Sequence, residues 1–288
     1  MNILVTGGRG QLGCSINKIA ANHPQHNFIF TDMPEADITN HDCMAQLIVE
    51  NKVNVLINCA AYTAVDKAED EEELARKINA DGAAELGEVC KEHKVKLVHI
   101  STDYVFDGTT IDPINERVKT NPQSTYGRTK LAGEQHIKES GADAVIVRTA
   151  WLYSEFGNNF VKTMLRLAET RDELGVVADQ YGTPTYAPDL AEAIMKLIDK
   201  GFRGFKIYHY SNEGETSWWE FADTIFQLAG KAITVKPLTT DQYPAKAHRP
   251  AFSVLDKSKI KEAGVFVPEW EDSLRVCLKE LNALAQQD

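Results

Sequence analysis

The first half of the chain alternates short, nearly continuous apolar runs with longer amphipathic ones. The apolar runs are Ile3–Thr6, Phe28–Thr31, Val53–Asn58, Leu97–Ser101 and Ala144–Arg148. Runs without a polar face fit strands of a parallel sheet covered on both sides, because a half-exposed strand would alternate. Between them lie helix-like segments at Leu12–Ala21, His41–Asn51, Ala64–His93 and Thr125–Ser140. This order predicts an α/β chain with a Rossmann-type, doubly wound parallel sheet. The stretch Ala64–His93 reads as two pieces, or as one long helix with an acidic, exposed start. Its run Glu69-Asp70-Glu71-Glu72-Glu73 reads as a solvated helix face suited to the helix dipole, rather than as a metal site.

Beyond about residue 150 the alternation loosens. Asp189–Lys200 predicts a helix behind Pro188, and Ile207–Ser211 a strand. Another helix runs from Ser217 to Gly230, with Ser217 as its N-cap and Glu220 as the capping-box partner. Asp272–Ala285 predicts a last helix. No internal repeat, low-complexity tract or flexible linker interrupts the pattern. The expectation is a dinucleotide-binding domain of residues 1–172 plus a returning segment 186–212. A smaller C-terminal α/β substrate lobe would comprise 173–185 plus 213–288.

Composition narrows the function. The chain has 288 residues, with 31 basic against 42 acidic side chains and a formal net charge of -11. A general nucleic-acid binder would carry a basic face, so a small molecule is the expected partner. Any anionic ligand must then find local donors. The five cysteines are scattered, odd in number and never spaced C-x-x-C, as in reduced thiols of a cytoplasmic protein. No basic segment followed by an apolar one opens the sequence, and no stretch of eighteen apolar residues occurs. A cytoplasmic protein with no membrane partner is expected.

Chemistry enters with Gly7, Gly10 and Gly13, placed between the first strand and the first helix. Glycines there permit a tight turn, close approach of backbone to a pyrophosphate, and close helix–strand packing. Asp32 follows the second strand, where a carboxylate can bind the adenosine ribose hydroxyls and disfavours a 2′-phosphate. Arg9 in the loop would offset that preference. Tyr126 and Lys130, four apart at a helix start, share one face. A phenol beside an ammonium can deliver a proton to a ketone while hydride arrives from a nicotinamide. Ser101-Thr102-Asp103 ends the fourth strand, where open α/β sheets place their ligands, and supplies a hydroxyl to orient the carbonyl.

The glycine spacing G-x-x-G-x-x-G resembles that of extended short-chain dehydrogenases/reductases. Longer blocks are more specific: Asn58 to Glu69, Ser101 to Gly108, Arg148-Thr149-Ala150-Trp151, Asp179 to Thr185, and Arg249-Pro250 followed by Ser253-Val254-Leu255-Asp256. Together they resemble the dTDP-4-dehydrorhamnose reductase family across nearly the whole chain. Cys59 departs from it, standing where the family typically has alanine.

The resemblance implies reduction of a 4-keto nucleotide sugar with NADPH or NADH. It implies Thr102, Tyr126 and Lys130 as the catalytic set, with Tyr126 and Lys130 also touching cofactor. Gly10, Gln11, Leu12, Asp32, Asp37, Ile38, Ala61, Tyr62 and Thr63 would line the cofactor beside Gly7 and Gly13. Asp103 and Trp151 would contact the sugar, and Arg249 is expected at its diphosphate. Some members join two subunits through a metal held by acidic residues, one on the first helix. Cys14 and Ser15 follow Gly13 here, so no metal is expected, and monomer and homodimer stay open. Two competing readings are another sugar-nucleotide enzyme, a 4-epimerase or 4,6-dehydratase, and a non-catalytic relative of the methionine adenosyltransferase regulatory subunit. The dehydratases' Asp-Glu pair is missing beside Thr102, and the intact Thr102, Tyr126 and Lys130 favour turnover.

Overall fold

The structure, a computed structural model, describes residues 1–285. Its centre is a six-stranded, all-parallel sheet. From one edge to the other the strands are Phe205–His209, Ala144–Thr149, Lys96–Thr102, Val55–Asn58, Asn2–Thr6 and Asn27–Phe30. The chain starts inside the sheet, adds Asn27–Phe30 on one side, then crosses back to add the other four in sequence order. The strand order therefore reverses between Asn2–Thr6 and Val55–Asn58, and such a crevice is where open α/β sheets bind ligands.

Burial explains the lack of alternation in the strands. Ile3, Val5, Val55, Ile57, Val98, Val145 and Val147 pack against helices Gln11–Ile19 and Ala187–Lys200. Their neighbours Leu4, Leu56, Leu97, Ala144 and Ile146 point the opposite way, onto His41–Glu50, Gly82–Glu92 and Thr125–Ser140. Successive strand residues face opposite sides, so a sheet coated twice needs both parities apolar. A third cluster gathers Tyr153, Val161, Met164, Phe221, Phe226, Trp270 and Leu274 away from the sheet. Ile260, Val265 and Val267, late in the chain, join the first cluster instead.

The helix Thr125–Ser140 is held hard at its start. Ser124 Oγ accepts from the Gly127 N–H at 3.1 Å, and the Glu69 carboxylate accepts from the Thr125 N–H at 2.8 Å and its hydroxyl at 3.0 Å. Part of the acidic run is thus a cap on another helix and not merely a solvated face. The run also breaks the long helical stretch: it resolves into Val65–Ala68, Glu72–Arg76, a π-turn Lys77–Asp81 and Gly82–Glu92. The Ser217–Glu220 capping box forms as expected, with both reciprocal hydrogen bonds on helix Trp218–Leu228.

Other boundaries move. The returning strand lies two residues earlier than predicted. The helix that precedes it in sequence starts at Ala187, with Pro188 inside the first turn, where its missing N–H costs nothing. The last helix spans Trp270–Glu280 and stops because Asn282 takes a left-handed φ of 53°. Helix Phe160–Leu167 and the parallel pair Glu173–Val177 with Thr234–Leu238 were not legible as elements. His23 and His26 bond Glu192 and Asp199 of the helix Ala187–Lys200, at 3.0 and 2.7 Å.

Candidate active site

A cavity of about 880 Å³ opens along the carboxyl ends of the strands, centred on the reversal of strand order. Gly7, Gly10, Gln11 and Leu12 form its floor at one end. Gly7 has φ of 67°, and a Cβ there would lie 2.6 Å from the Ala60 nitrogen. At Gly13 a Cβ would lie 2.4 Å from the Gly7 carbonyl oxygen. Gly13 therefore does not line the cavity; it lets the helix Gln11–Ile19 approach the loop closely enough for its first N–H groups to face the space. Unpaired N–H groups at a helix start are an anion site. The cradle has the shape and donors a dinucleotide diphosphate requires.

Asp32, Asp37 and Ile38 form the adjoining wall. One Asp32 oxygen accepts from the Arg9 N–H and the other from the Met33 N–H, both at 2.9 Å, which points the carboxylate across the loop. The Arg9 guanidinium turns away to the Met33 carbonyl and Glu35. Asp37 accepts from the Thr39 hydroxyl and N–H, and these bonds hold its carboxyl below the usual range. Ala61 and Thr63 line the cavity, whereas the Tyr62 hydroxyl leaves it for Glu71 at 2.5 Å. Tyr62 is not among the lining residues; its N–H and C=O are clamped by the buried Asn79 amide from the π-turn, which fixes the backbone between Ala61 and Thr63. Single π-turns inside helices recur at functional sites.

The opposite wall carries Thr102, Asp103, Tyr126 and Lys130. Thr102 ends its strand; its hydroxyl donates to Asp103 Oδ1 at 3.0 Å and accepts from the Tyr104 N–H at 3.2 Å. Asp103 is 2% exposed, and its second oxygen has no partner among the described residues. Burial pushes its carboxyl up to about 6, against hydrogen bonds from Ser253 and Thr102. Tyr126 packs edge-on against Tyr104, with ring centroids 5.5 Å apart. Burial pushes its phenol up to about 12, with the Thr102 hydroxyl acting to lower it and Asp103 to raise it.

One expectation is corrected here. The Lys130 ammonium expected beside the phenol is turned instead to the strand behind. Its Nζ donates to the Ile100 carbonyl at 2.6 Å and stands 3.3 Å from His99 Nε2. Burial lowers the amine to about 8, with Glu134 and Cys59 acting to raise it.

Trp151 occupies the far end. It has φ of 49°, a left-handed backbone that a bulky residue adopts only when its surroundings force it. Its ring stacks on Trp218 with centroids 3.6 Å apart, and Gly182 sits against its other edge. Arg249 is not among the lining residues. Two of its N–H groups hold Asp66, at 2.8 and 3.2 Å, which leaves other guanidinium donors for a ligand.

Residues missed by sequence reasoning include the buried network below the wall. Glu134 takes two hydrogen bonds from Arg148, at 2.9 and 2.6 Å, and one from Ser101 at 2.5 Å. Glu134 lies four residues beyond Lys130, the one available sequence signal for it. Trp218 gave no signal; it arrives from a distant helix.

A doubly wound sheet with a glycine diphosphate cradle, a hydroxyl at a strand end and a Tyr–Lys helix beside it defines an extended short-chain dehydrogenase/reductase. The chain matches the family described as RmlD substrate binding domain over residues 1–283. It is 42% identical to the dTDP-4-dehydrorhamnose reductase of Aggregatibacter actinomycetemcomitans over 284 residues, covering 95% of this chain and 97% of that one. Among solved structures, the Clostridium acetobutylicum dTDP-4-dehydrorhamnose reductase superposes with a TM-score of 0.92 at 45% identity, covering 98% and 100% of the two chains. The Bacillus anthracis enzyme of that name, solved with NADP, gives 0.93 at 41% identity, covering 97% and 99%. The chain belongs to the dTDP-4-dehydrorhamnose reductase family. No helix among the described residues is long and apolar enough to cross a membrane.

Proposed function

We propose that this protein reduces the 4-keto group of dTDP-4-dehydro-L-rhamnose to give dTDP-L-rhamnose, using NADPH or NADH. The observation that carries the reading is the single cavity shared by the glycine cradle and by Thr102, Asp103 and Tyr126. When bound, the nicotinamide supplies hydride to the carbonyl carbon. Tyr126 gives its phenolic proton to the carbonyl oxygen, completing the alcohol. Thr102 orients that oxygen through its hydroxyl, Asp103 contacts the sugar, and Trp151 presents an apolar face to the sugar ring. Lys130 holds the nicotinamide ribose and sets the charge beside Tyr126. Gly7, Gly10, Gln11 and Leu12 hold the cofactor diphosphate and Asp32 its adenosine ribose, with Asp37, Ile38, Ala61, Tyr62 and Thr63 around them and Gly13 beneath. The uncommitted donors of Arg249 serve the sugar diphosphate.

The division into 1–172 with 186–212, and 173–185 with 213–288, separates cofactor from sugar in this reading. It is supported by the pairing of Glu173–Val177 with Thr234–Leu238, although Tyr153 to Met164 pack with the second group. We place the protein in the cytoplasm, a reading supported by five unpaired cysteines.

Cofactor oxidation on addition of dTDP-4-dehydrorhamnose, beside UDP- and GDP-linked keto sugars, tests the reading. Turnover selective for the dTDP sugar is expected. Equal turnover of all three would remove the assignment of the base, and no turnover of any would remove the activity.

A further inference from the structure

Behind the Tyr126–Lys130 helix, three polar side chains that the reduction itself does not use, Thr6, Asn58 and His99, run in a chain up to Lys130. All are buried, with His99 and Asn58 each 1% exposed and Lys130 2%. Asn58 Oδ1 accepts from the Thr6 hydroxyl at 2.7 Å and from the Ala60 N–H at 3.1 Å. The Ala60 N–H can only donate, so it fixes which end of the amide is oxygen. The Asn58 NH2 group then faces His99 Nδ1 at 3.0 Å, and Nδ1 must accept. Burial and the nearby Lys130 hold His99 well below its ordinary protonation range, so the ring carries one proton. With Nδ1 accepting, that proton sits on Nε2, 3.3 Å from Lys130 Nζ.

An N–H aimed at an amine is satisfied by the neutral amine's lone pair and repelled by an ammonium. Charging Lys130 therefore requires the ring to move its proton to Nδ1, against the Asn58 NH2. Flipping the amide to relieve that contact sets NH2 against the Ala60 N–H. Either way one buried donor meets another, which costs about 1–3 kcal/mol for an unsatisfied buried group. The other groups facing Lys130 favour its charge: the Ile100 carbonyl and Cys59 from the strand ends, and Glu134 from its own helix, itself shared with Arg148 of the neighbouring strand.

We propose that His99 is a positioning residue for the reaction, coupling its own tautomer to the charge of Lys130, with Asn58 holding the tautomer that disfavours the ammonium. The proposal rests on the reductase reading for its consequence: the charge beside Tyr126 is set from behind the helix. It does not rest on that reading for its test. Long-range proton–nitrogen correlation on histidine-labelled protein, without cofactor or substrate, reads which ring nitrogen carries the proton. H99Q identifies the signal.

In the wild type the proton is expected on Nε2 at alkaline pH, crossing to Nδ1 as Lys130 gains its charge. In Lys130→Met it stays on Nε2 throughout. In H99Q the amide can turn its oxygen to Lys130, so the alkaline limb of turnover moves up by about one pH unit, tenfold in proton affinity. Asn58→Asp, which accepts from Nδ1–H, moves it in the same direction. Should H99Q fail to fold, the ring signal that follows pH in the wild type but not in Lys130→Met identifies His99. A wild-type tautomer unchanged across the titration, or a limb unmoved in folded H99Q, overturns the coupling. Either result can coexist with dTDP-sugar turnover, so it is distinguishable from failure of the proposed activity.

Discussion

The two ends of the cavity are built differently. The end proposed for the cofactor is made mostly of backbone within one continuous strand–loop–helix, with Gly7, Gly10 and Gln11 close in sequence. The end proposed for the sugar is made of side chains from remote segments: Asp103 at a strand end, Trp151 on a strained turn, and Trp218 stacked behind it. A backbone cradle is specified locally and tolerates variation outside its glycines. A side-chain wall depends on every element that carries it, and its Asp103 carboxyl and Tyr126 phenol are shifted by burial.

That contrast can be broken most sharply at the sugar end with Tyr126→Phe. Removing the proton donor while keeping the ring should lower turnover by about 10²–10⁴-fold, the usual worth of general acid catalysis. Cofactor affinity, measured by titration, should change little. Loss of both together would mean the two ends are one mechanical unit.

Asp103 separates stability from chemistry. Its carboxyl titrates near 6 when folded, above the ordinary 3.8, so the folded state holds the proton more tightly than the unfolded chain. Stability from this group is present below the unfolded value and is lost as pH rises through 6, levelling above it. Over that window the loss is about 3 kcal/mol, by 1.36 kcal/mol per unit. Asp103→Asn should flatten the window and raise denaturation midpoints at neutral pH while lowering turnover. A variant less stable than wild type at neutral pH would contradict this account.

At the cofactor end Gly13→Ala tests the backbone cradle. Its Cβ would meet the Gly7 carbonyl at 2.4 Å, so helix and loop must part. Overpacking of this kind costs about 1–3 kcal/mol. Thermal unfolding and cofactor titration should show a lower midpoint and weaker binding, with the sugar wall unaffected in its own pH dependence. The smallest effect is expected from Asp32→Ala, which should improve NADPH relative to NADH by about tenfold or less, on the order of one hydrogen bond. The ratio of kcat/KM values for the two cofactors measures it; an unchanged ratio would place Asp32 away from the ribose.

The sequence by itself determined the sheet, the glycine cradle and the Tyr126–Lys130 face. Each depends on neighbours within a few positions: both strand parities apolar, glycine where a Cβ has no room, and two side chains one helical turn apart. The Ser217–Glu220 box was legible for the same reason. Tertiary structure alone decided the rest. It turned Lys130 toward His99 and Ile100, set Trp218 under Trp151, and engaged Arg249 with Asp66. It also made Glu69 a cap for a helix fifty-six positions away. These contacts join segments that no local periodicity relates. Their geometry follows from where the strands and helices come to rest, and burial then sets the charge each group can hold.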